Sequence, residues 1–533
     1  MKTPISQDYD RFLGMSFGQM LDTLAREELQ KEIFVFKNRR ITYQAFHQEV
    51  RQMSKGLKSL GIKKGDRIAA LLPNSPEFFV CQQASLYIGA VFIMLSTRYR
   101  EFELTYMLKH SGAKCLFTID RYMGTDFLQI IEKLKLEMPE LKHVLVLGDE
   151  TPPWTRGYKD FLDSGQHASD DLLEKDLPGP EDIASMLYTS GSTGTPKGVM
   201  MSHRAFIFDA VRVCERLRIV PEDVFLMIVP CSHTLCAFVQ FTDALVGRVK
   251  IALMENFDAE EALRLWETER VSVVHGVPAM FQMMLNHPDF VKRDLSSSRA
   301  GYMGGAFCPE DVVRDVIRKM HLQISCTYGM SENGCCTIND FDDDETSKCT
   351  TVGRPIRGCE IKLTDDQRKE VPAGVVGEIA IRGPNLFSGY YKQPEITKAS
   401  YDEEGFFYSG DLGRYLDDGN LTIVGRKKEM IIRGGFNVYP VEVEEQLKEM
   451  GVIDNVAVIG LPDEVMGEKV VACIIPTPGK NVTAEEVIAF CKRRLANYKV
   501  PSEILFMEKF PTTTIGKTQK FKLQEMLVQP QKK

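Results

Sequence analysis

Apolar residues recur every three to four positions over 46–60, the period of an amphipathic helix. A short apolar run at 66–72 follows and reads as a buried strand, and 76–90 reads as a second helix. The alternation continues with a strand at 224–229, a helix at 258–270 and a strand at 271–275. It predicts an α/β fold whose sheets are covered by helices. After Pro355 the texture shifts to short strands and turns at 360–363, 377–382 and 406–408, a β-rich subdomain. From Gly425 the chain turns basic, and a small α+β pattern closes it: helix 440–450, strands 455–460 and 469–475, helix 483–495. We expect a large N-terminal domain over 1–425 and a small C-terminal one over 426–533.

The 533 residues exceed one ordinary core, which agrees with more than one domain. The formal net charge of −8 argues against nucleic acid or an anionic membrane as the main partner. The 13 cysteines form no CxxC pair and fit reduced thiols in a cytoplasmic protein better than a disulfide framework. No stretch has the apolar length to span a bilayer, and neither end carries a recognisable leader, anchor or address.

Candidate chemistry starts with the run YTSGSTGTPKG at 188–198. Glycines let backbone N–H groups converge on an anion, hydroxyls add donors, and Lys197 adds a mobile positive charge. This is a phosphate cradle, but Pro196 and Gly198 flank the lysine where a Walker A loop needs Gly and Ser/Thr. A glycine–serine linker would share the composition. The strand-like runs 183–188 and 199–201 pin the loop on both sides instead, and Ser202 stands ready to cap a helix.

Further candidates follow in order. Tyr328 offers a ring for stacking on a base. Glu332 offers the hard oxygen ligand that Mg²⁺ takes. Asp411 offers acceptors for a ribose diol, with Arg426 nearby, and Lys517 stands beside Gly516 near the C-terminus. Each alone is an ordinary turn or surface residue; the ordered set is not.

With those motifs the chain resembles the adenylate-forming superfamily of acyl- and aryl-CoA synthetases, peptide-synthetase adenylation domains and beetle luciferases. The resemblance runs from about Thr42 to Lys517. The stretch KEMIIRGGFNVYP at 428–440, followed by VEVE, leans toward the CoA ligases. It implies a two-step reaction: a carboxylate attacks the α-phosphorus of ATP and releases pyrophosphate, and CoA then displaces AMP. The implied cofactors are ATP, Mg²⁺ and CoA. It implies that Thr189, Ser190, Gly191, Ser192, Thr193, Gly194 and Lys197 grip the β- and γ-phosphates. Gly304, Gly305, Ala306, Tyr328 and Gly329 would line adenine, and Ser331 would meet the α-phosphate. Glu332 would hold Mg²⁺, Asp411 and Arg426 the ribose. Lys517 would bridge the α-phosphate and the substrate carboxylate.

The resemblance also implies a mobile C-terminal domain with a hinge at 426–430 centred on Lys428. Its rotation would bring Gly435, Phe436 and Asn437 to a thiol tunnel. His233 matches the gate of the acyl pocket, which Leu235, Val277, Met280 and Met303 would line. These apolar side chains point to a fatty or aromatic acid of small to medium size. No acidic residue in 230–236 awaits an amino group. A carrier protein in place of CoA, and a non-catalytic nucleotide sensor, are the alternatives; oligomeric state stays open between monomer and homodimer. Ser192, Asn333 and Phe307 stand where the family more often has threonine, threonine and proline.

Overall fold

A computed structural model describes residues 9–189, 196–434, 436–463, 465–512 and 518–528. The chain falls into two compact units: Met1–Glu360 with Arg382–Tyr401, and Ile361–Ile381 with Asp402–Lys533.

The first unit is α/β. Its eight-stranded sheet places Gly389–Tyr390 at one edge, followed by Lys197–Ser202, Ile183–Thr189, Val91–Met94, Arg67–Leu71, Cys115–Ile119 and His143–Leu147. From Ile183–Thr189 to His143–Leu147 the neighbours run parallel. A nine-stranded sheet carries Val224–Met227, Val273–Gly276, Ala300–Met303 and Gln323–Met330, also parallel to one another.

The expected helix at 76–90 is Pro76–Tyr87, and every residue but Glu77 is buried. A helix buried on all sides belongs inside a core, and its polar Gln82 and Ser85 donate to the carbonyls of Ala237 and Cys81. Its Phe79 ring lies 4.2 Å from Phe241 and 5.3 Å from Phe34, which reaches in from the nine-stranded sheet. Its Phe78 lies 5.6 Å from Phe92 of the eight-stranded sheet. Aromatic packing through this one helix therefore joins the two sheets into a single core, each close pair adding about 0.5–1.5 kcal/mol beyond burial.

The second unit contains a four-stranded sheet, Glu360–Thr364, Gly377–Arg382, Phe407–Tyr415 and Leu421–Arg426. It also contains a sheet built on the long antiparallel pair Ile453–Asp463 and Gly467–Pro476, packed with Pro440–Lys448 and Ala484–Arg494. Composition changes at Arg426, but packing does not divide there. Residues 361–381 and 402–425 group with the C-terminal residues, and the ladder that pairs Asp411 with Arg426 lies inside that unit.

Every cysteine is a free thiol, and all but Cys308 are buried. Among the described residues no helix is long and apolar enough to cross a membrane.

Candidate active site

Parallel strands end together, and their carboxyl ends are where open α/β sheets bind ligands. In the nine-stranded sheet Gly276 pairs with Met303, and Met303 with Cys326. The segments that follow, Val277–Pro278, residues 304–306 and residues 327–333, therefore emerge side by side. Gly304 is there because a Cβ would stand 2.6 Å from Thr327 Cγ2. A Cβ on Gly305 would stand 3.6 Å from Val277 Cγ1, so the candidate adenine segment and the candidate acyl wall are neighbours. Met303 is fully buried, Tyr328 nearly so, and Ala306 is exposed.

In the other sheet, Ile183–Thr189 and Lys197–Ser202 form an antiparallel hairpin with Thr189 opposite Lys197. The expected strands flanking the phosphate loop are therefore present. Ser202 accepts from Ala205 N–H and caps the helix His203–Leu217. The loop residues Ser190, Gly191, Ser192, Thr193 and Gly194 lie outside the described residues, as do Gly435 and Lys517.

Glu332 sits on the turn between Gln323–Met330 and Gly334–Ile338. Asn333, buried, closes that turn: its Oδ1 accepts from Met330 N–H at 2.9 Å. The asparagine in place of the commoner threonine thus has a structural use. Asn385 Nδ2 donates to the carbonyls of Asn333 and Cys335, at 2.7 and 2.9 Å. Glu332 Oε1 accepts from the Tyr390 hydroxyl at 3.0 Å, and the Lys197 ammonium lies 4.7 Å from the Tyr390 ring centroid. The phosphate-loop lysine and the candidate metal carboxylate therefore converge on one tyrosine. Neither Tyr390 nor Asn385 stands out in the sequence, because nothing local ties them to a turn more than fifty residues earlier.

Of the acyl candidates, His233 and Leu235 follow Val224–Met227, Val277 and Met280 follow Val273–Gly276, and Met303 ends Ala300–Met303; the first two share a loop. Asn74 anchors that loop, donating to Val229 O at 3.0 Å and accepting from Cys231 N–H at 2.6 Å. Residues Leu235–Gln240 then form a wide π-helical turn, a feature enriched at functional sites. Gln240 Nε2 ties it to His275 O at 3.2 Å. His233 and Leu235 are half-buried, as is Met280, whose N–H donates to Val277 O.

His233 Nδ1 accepts from Leu235 N–H at 3.1 Å. His203 Nδ1 accepts from Phe17 N–H, and His275 Nδ1 from Tyr302 N–H. Burial pushes these rings down from 6.5 to about 4, about 4 and about 3 respectively. Each is held neutral with its proton on Nε2, since a protonated Nδ1 would face an N–H. The rings favour the fold at neutral pH and lose that contribution as pH falls from 6.5 toward 4. Asp209 and Asp243, whose carboxyls burial pushes far up, act in the opposite direction. Imidazole nitrogen shifts in ¹⁵N-histidine protein are therefore the measurement. Three rings are expected to stay in the Nε2–H form down to about pH 5; titration of all nine near 6.5 would contradict this.

In the second unit Asp411, 5% exposed, places Oδ1 2.9 Å from Arg426 Nε, and the two are cross-strand partners. Lys428 is exposed and lies in the single turn Lys427–Glu429. Its neighbour Lys427 is fastened to Glu378 at 2.9 Å and Asp366 at 3.0 Å. Phe436 and Asn437 are exposed, and the Phe436 ring stacks on Tyr498 at 4.8 Å.

The sequence profile of the AMP-binding enzyme family matches residues 21–391, and that of the AMP-binding enzyme C-terminal domain matches 442–517. The putative acyl-CoA synthetase YngI of Bacillus subtilis (strain 168) is 34% identical over 96% of this chain and 97% of its own. The medium-chain fatty-acid–CoA ligase of Escherichia coli (strain K12) is 34% identical over 91% of this chain and 85% of its own. The crystal structure of ATP-bound MatB from Rhodopseudomonas palustris superimposes with a TM-score of 0.86 at 30% identity, covering 96% of this chain and 99% of that one.

Proposed function

We infer, from the premise that this chain belongs to the AMP-binding enzyme family and is an AMP-forming acid–CoA ligase, that its substrate is an apolar monocarboxylic acid of small to medium size. The established reaction activates a carboxylic acid with ATP to acyl-AMP and transfers the acyl group to CoA. A carboxylate oxygen is a poor leaving group, and the mixed anhydride with AMP supplies a good one. Negative charge spreads over the phosphates in the first step, so the protein's work is positioning and charge stabilisation.

The observation that carries the acid's class is the candidate pocket wall. Leu235, Val277, Met280 and Met303 are apolar, and His233 is held neutral. Methionines adapt to varied shapes. Nothing in this set would repay the burial of a second charge on the substrate. The name of the Escherichia coli relative, a medium-chain fatty-acid ligase, supports the same class.

In this reading Thr189, Ser190, Gly191, Ser192, Thr193, Gly194 and Lys197 hold the β- and γ-phosphates. Gly304, Gly305, Ala306, Tyr328 and Gly329 line adenine, Ser331 meets the α-phosphate, and Asp411 with Arg426 takes the ribose. Glu332 holds Mg²⁺. Among the described residues no group of three or more His, Cys, Asp or Glu side chains gathers as a metal cage. Mg²⁺ commonly takes one or two carboxylates and fills its octahedron with phosphate oxygens and water, so a lone Glu332 that shares Tyr390 with Lys197 fits it. When bound, Mg²⁺ offsets phosphate charge. Lys517 stabilises charge on the α-phosphate and the attacking carboxylate. Lys428 is the hinge of a rotation that gives the thiol access past Gly435, Phe436 and Asn437. The free thiols support a cytoplasmic setting.

The test is a panel of carboxylic acids with MgATP, scored for pyrophosphate and then for thioester with and without CoA. Saturated straight-chain and simple aromatic acids are expected to give both products. Turnover confined to dicarboxylic or amino acids would reject the proposed class. Thioester formed on a phosphopantetheinyl protein and not on free CoA would replace CoA as acceptor.

A further inference from the structure

Residues 385–391 reach both halves of the candidate phosphate site. On one side, Gly389–Tyr390 adds an antiparallel edge strand to Lys197–Ser202, pairing Tyr390 with Val199 and Gly389 with Met200. Tyr391 N–H donates to Gly198 O at 2.7 Å, and Ser388 N–H to Met200 O at 2.8 Å. The segment is thus fastened to the strand that begins with Lys197. On the other side, Phe387 N–H donates to Glu332 O at 2.8 Å, and Asn385 holds the carbonyls on either side of Gly334. The backbone turns sharply enough to serve both: Gly389 has φ +122, which side-chain-bearing residues rarely adopt, and a Cβ there would stand 2.9 Å from Thr397 Cγ2. Thr397 Oγ1 in turn accepts from Tyr390 N–H at 2.9 Å.

The Tyr390 side chain then meets both charges. Its hydroxyl donates to Glu332 Oε1 at 3.0 Å, and its ring face receives Lys197 Nζ at 4.7 Å from the centroid. Tyr390 is only 8% exposed. A phenol carries its proton at neutral pH and a carboxylate can only accept, so the hydroxyl is the donor in this bond. An unrestrained glutamate and lysine in a half-buried pocket would pair with each other, and each would then be less available to a ligand. A neutral donor on the carboxylate and a π face under the ammonium add no opposite charge to either.

We propose that Tyr390 is a positioning residue for the adenylation step: it orients the Glu332 carboxylate toward the metal of MgATP and keeps the Lys197 ammonium apart from it, on a segment hydrogen-bonded to Glu332 and to the strand that begins with Lys197. The proposal rests on the assignment of Glu332 to Mg²⁺, and its test separates the two.

The full-length protein is titrated with ATP by calorimetry at graded Mg²⁺, and acid-dependent pyrophosphate release is followed in parallel. Four forms are compared: wild type, Tyr390→Phe, Glu332→Gln and the double variant. Tyr390→Phe keeps the ring under Lys197 and removes only the hydroxyl. It is expected to weaken Mg²⁺-dependent ATP binding, and kcat/KM for ATP, by about tenfold, the usual effect of losing a hydrogen bond to a charged group. KM for the acid and the thermal midpoint are expected to match wild type. In the Glu332→Gln background the same change is expected to add less than about twofold, because the bond it removes has lost its charged acceptor. A Tyr390→Phe protein with wild-type Mg²⁺ dependence, beside an impaired Glu332→Gln, overturns the role of Tyr390 and leaves Glu332 in place. A full tenfold loss from Tyr390→Phe in both backgrounds overturns it as well. Wild-type Mg²⁺ dependence in Glu332→Gln overturns the metal assignment and the proposal with it.

Discussion

Replacing Lys517 by alanine is expected to lower acid-dependent pyrophosphate release by about 10²–10³-fold, the usual effect of removing one preorganised charge-stabilising contact. Two anions meet in this step, the substrate carboxylate and the α-phosphate. Their repulsion grows as the oxygen approaches phosphorus. An ammonium between them is worth most at the moment of attack, so the loss falls on kcat rather than on KM. The second half-reaction has no such need, because the acyl-adenylate is already formed. Consumption of synthetic acyl-AMP by CoA should therefore stay within a fewfold of wild type in the same variant. Equal losses in both halves would mean that Lys517 supports the fold or the hinge. Unchanged pyrophosphate release would remove Lys517 from the mechanism.

Replacing Asp411 by alanine is expected to raise KM for ATP by about 10- to 100-fold, with KM for the acid little changed. A carboxylate accepts from both hydroxyls of a cis diol, and charge-assisted bonds of this kind are about twice as strong as neutral ones. Asp411 is buried and held in place by its cross-strand partner Arg426, so little is spent on ordering it. The specific control is 2′-deoxy-ATP. Wild type should discriminate against it, and Asp411→Ala should not, since the group that senses the hydroxyl is gone. Discrimination preserved in the variant would place the ribose contact elsewhere.

Local features were the most legible in the chain. The expected cap Ser202 accepts from the N–H three residues on, and Asp258 and Thr483, which open the expected helices 258–270 and 483–495, do the same as caps one position ahead of Ala259–Thr268 and Ala484–Arg494. The strands flanking the phosphate loop are Ile183–Thr189 and Lys197–Ser202, extending the apolar runs by one residue and by three. Helix Pro76–Tyr87 was legible as a helix, while its place between two sheets was not, because an apolar run states burial without naming neighbours. The π-helical turn Leu235–Gln240 left no mark either, since its register is set by Gln240 reaching His275.

The candidate site divides along the same line. The sequence by itself determined the α/β alternation, the glycine-rich loop with its lysine, the isolated Glu332 and Asp411, and through them the family. All of these are short-range patterns, in which a few adjacent residues state their own conformation and chemistry. Only the tertiary structure decided that Tyr390 lies against both Lys197 and Glu332, that Asn385 braces the Glu332 turn, and that three histidines are locked neutral by backbone N–H groups. Apart from the His233–Leu235 bond, those relations join residues tens to hundreds of positions apart. They come from strand pairing and burial, which no local run of residues encodes.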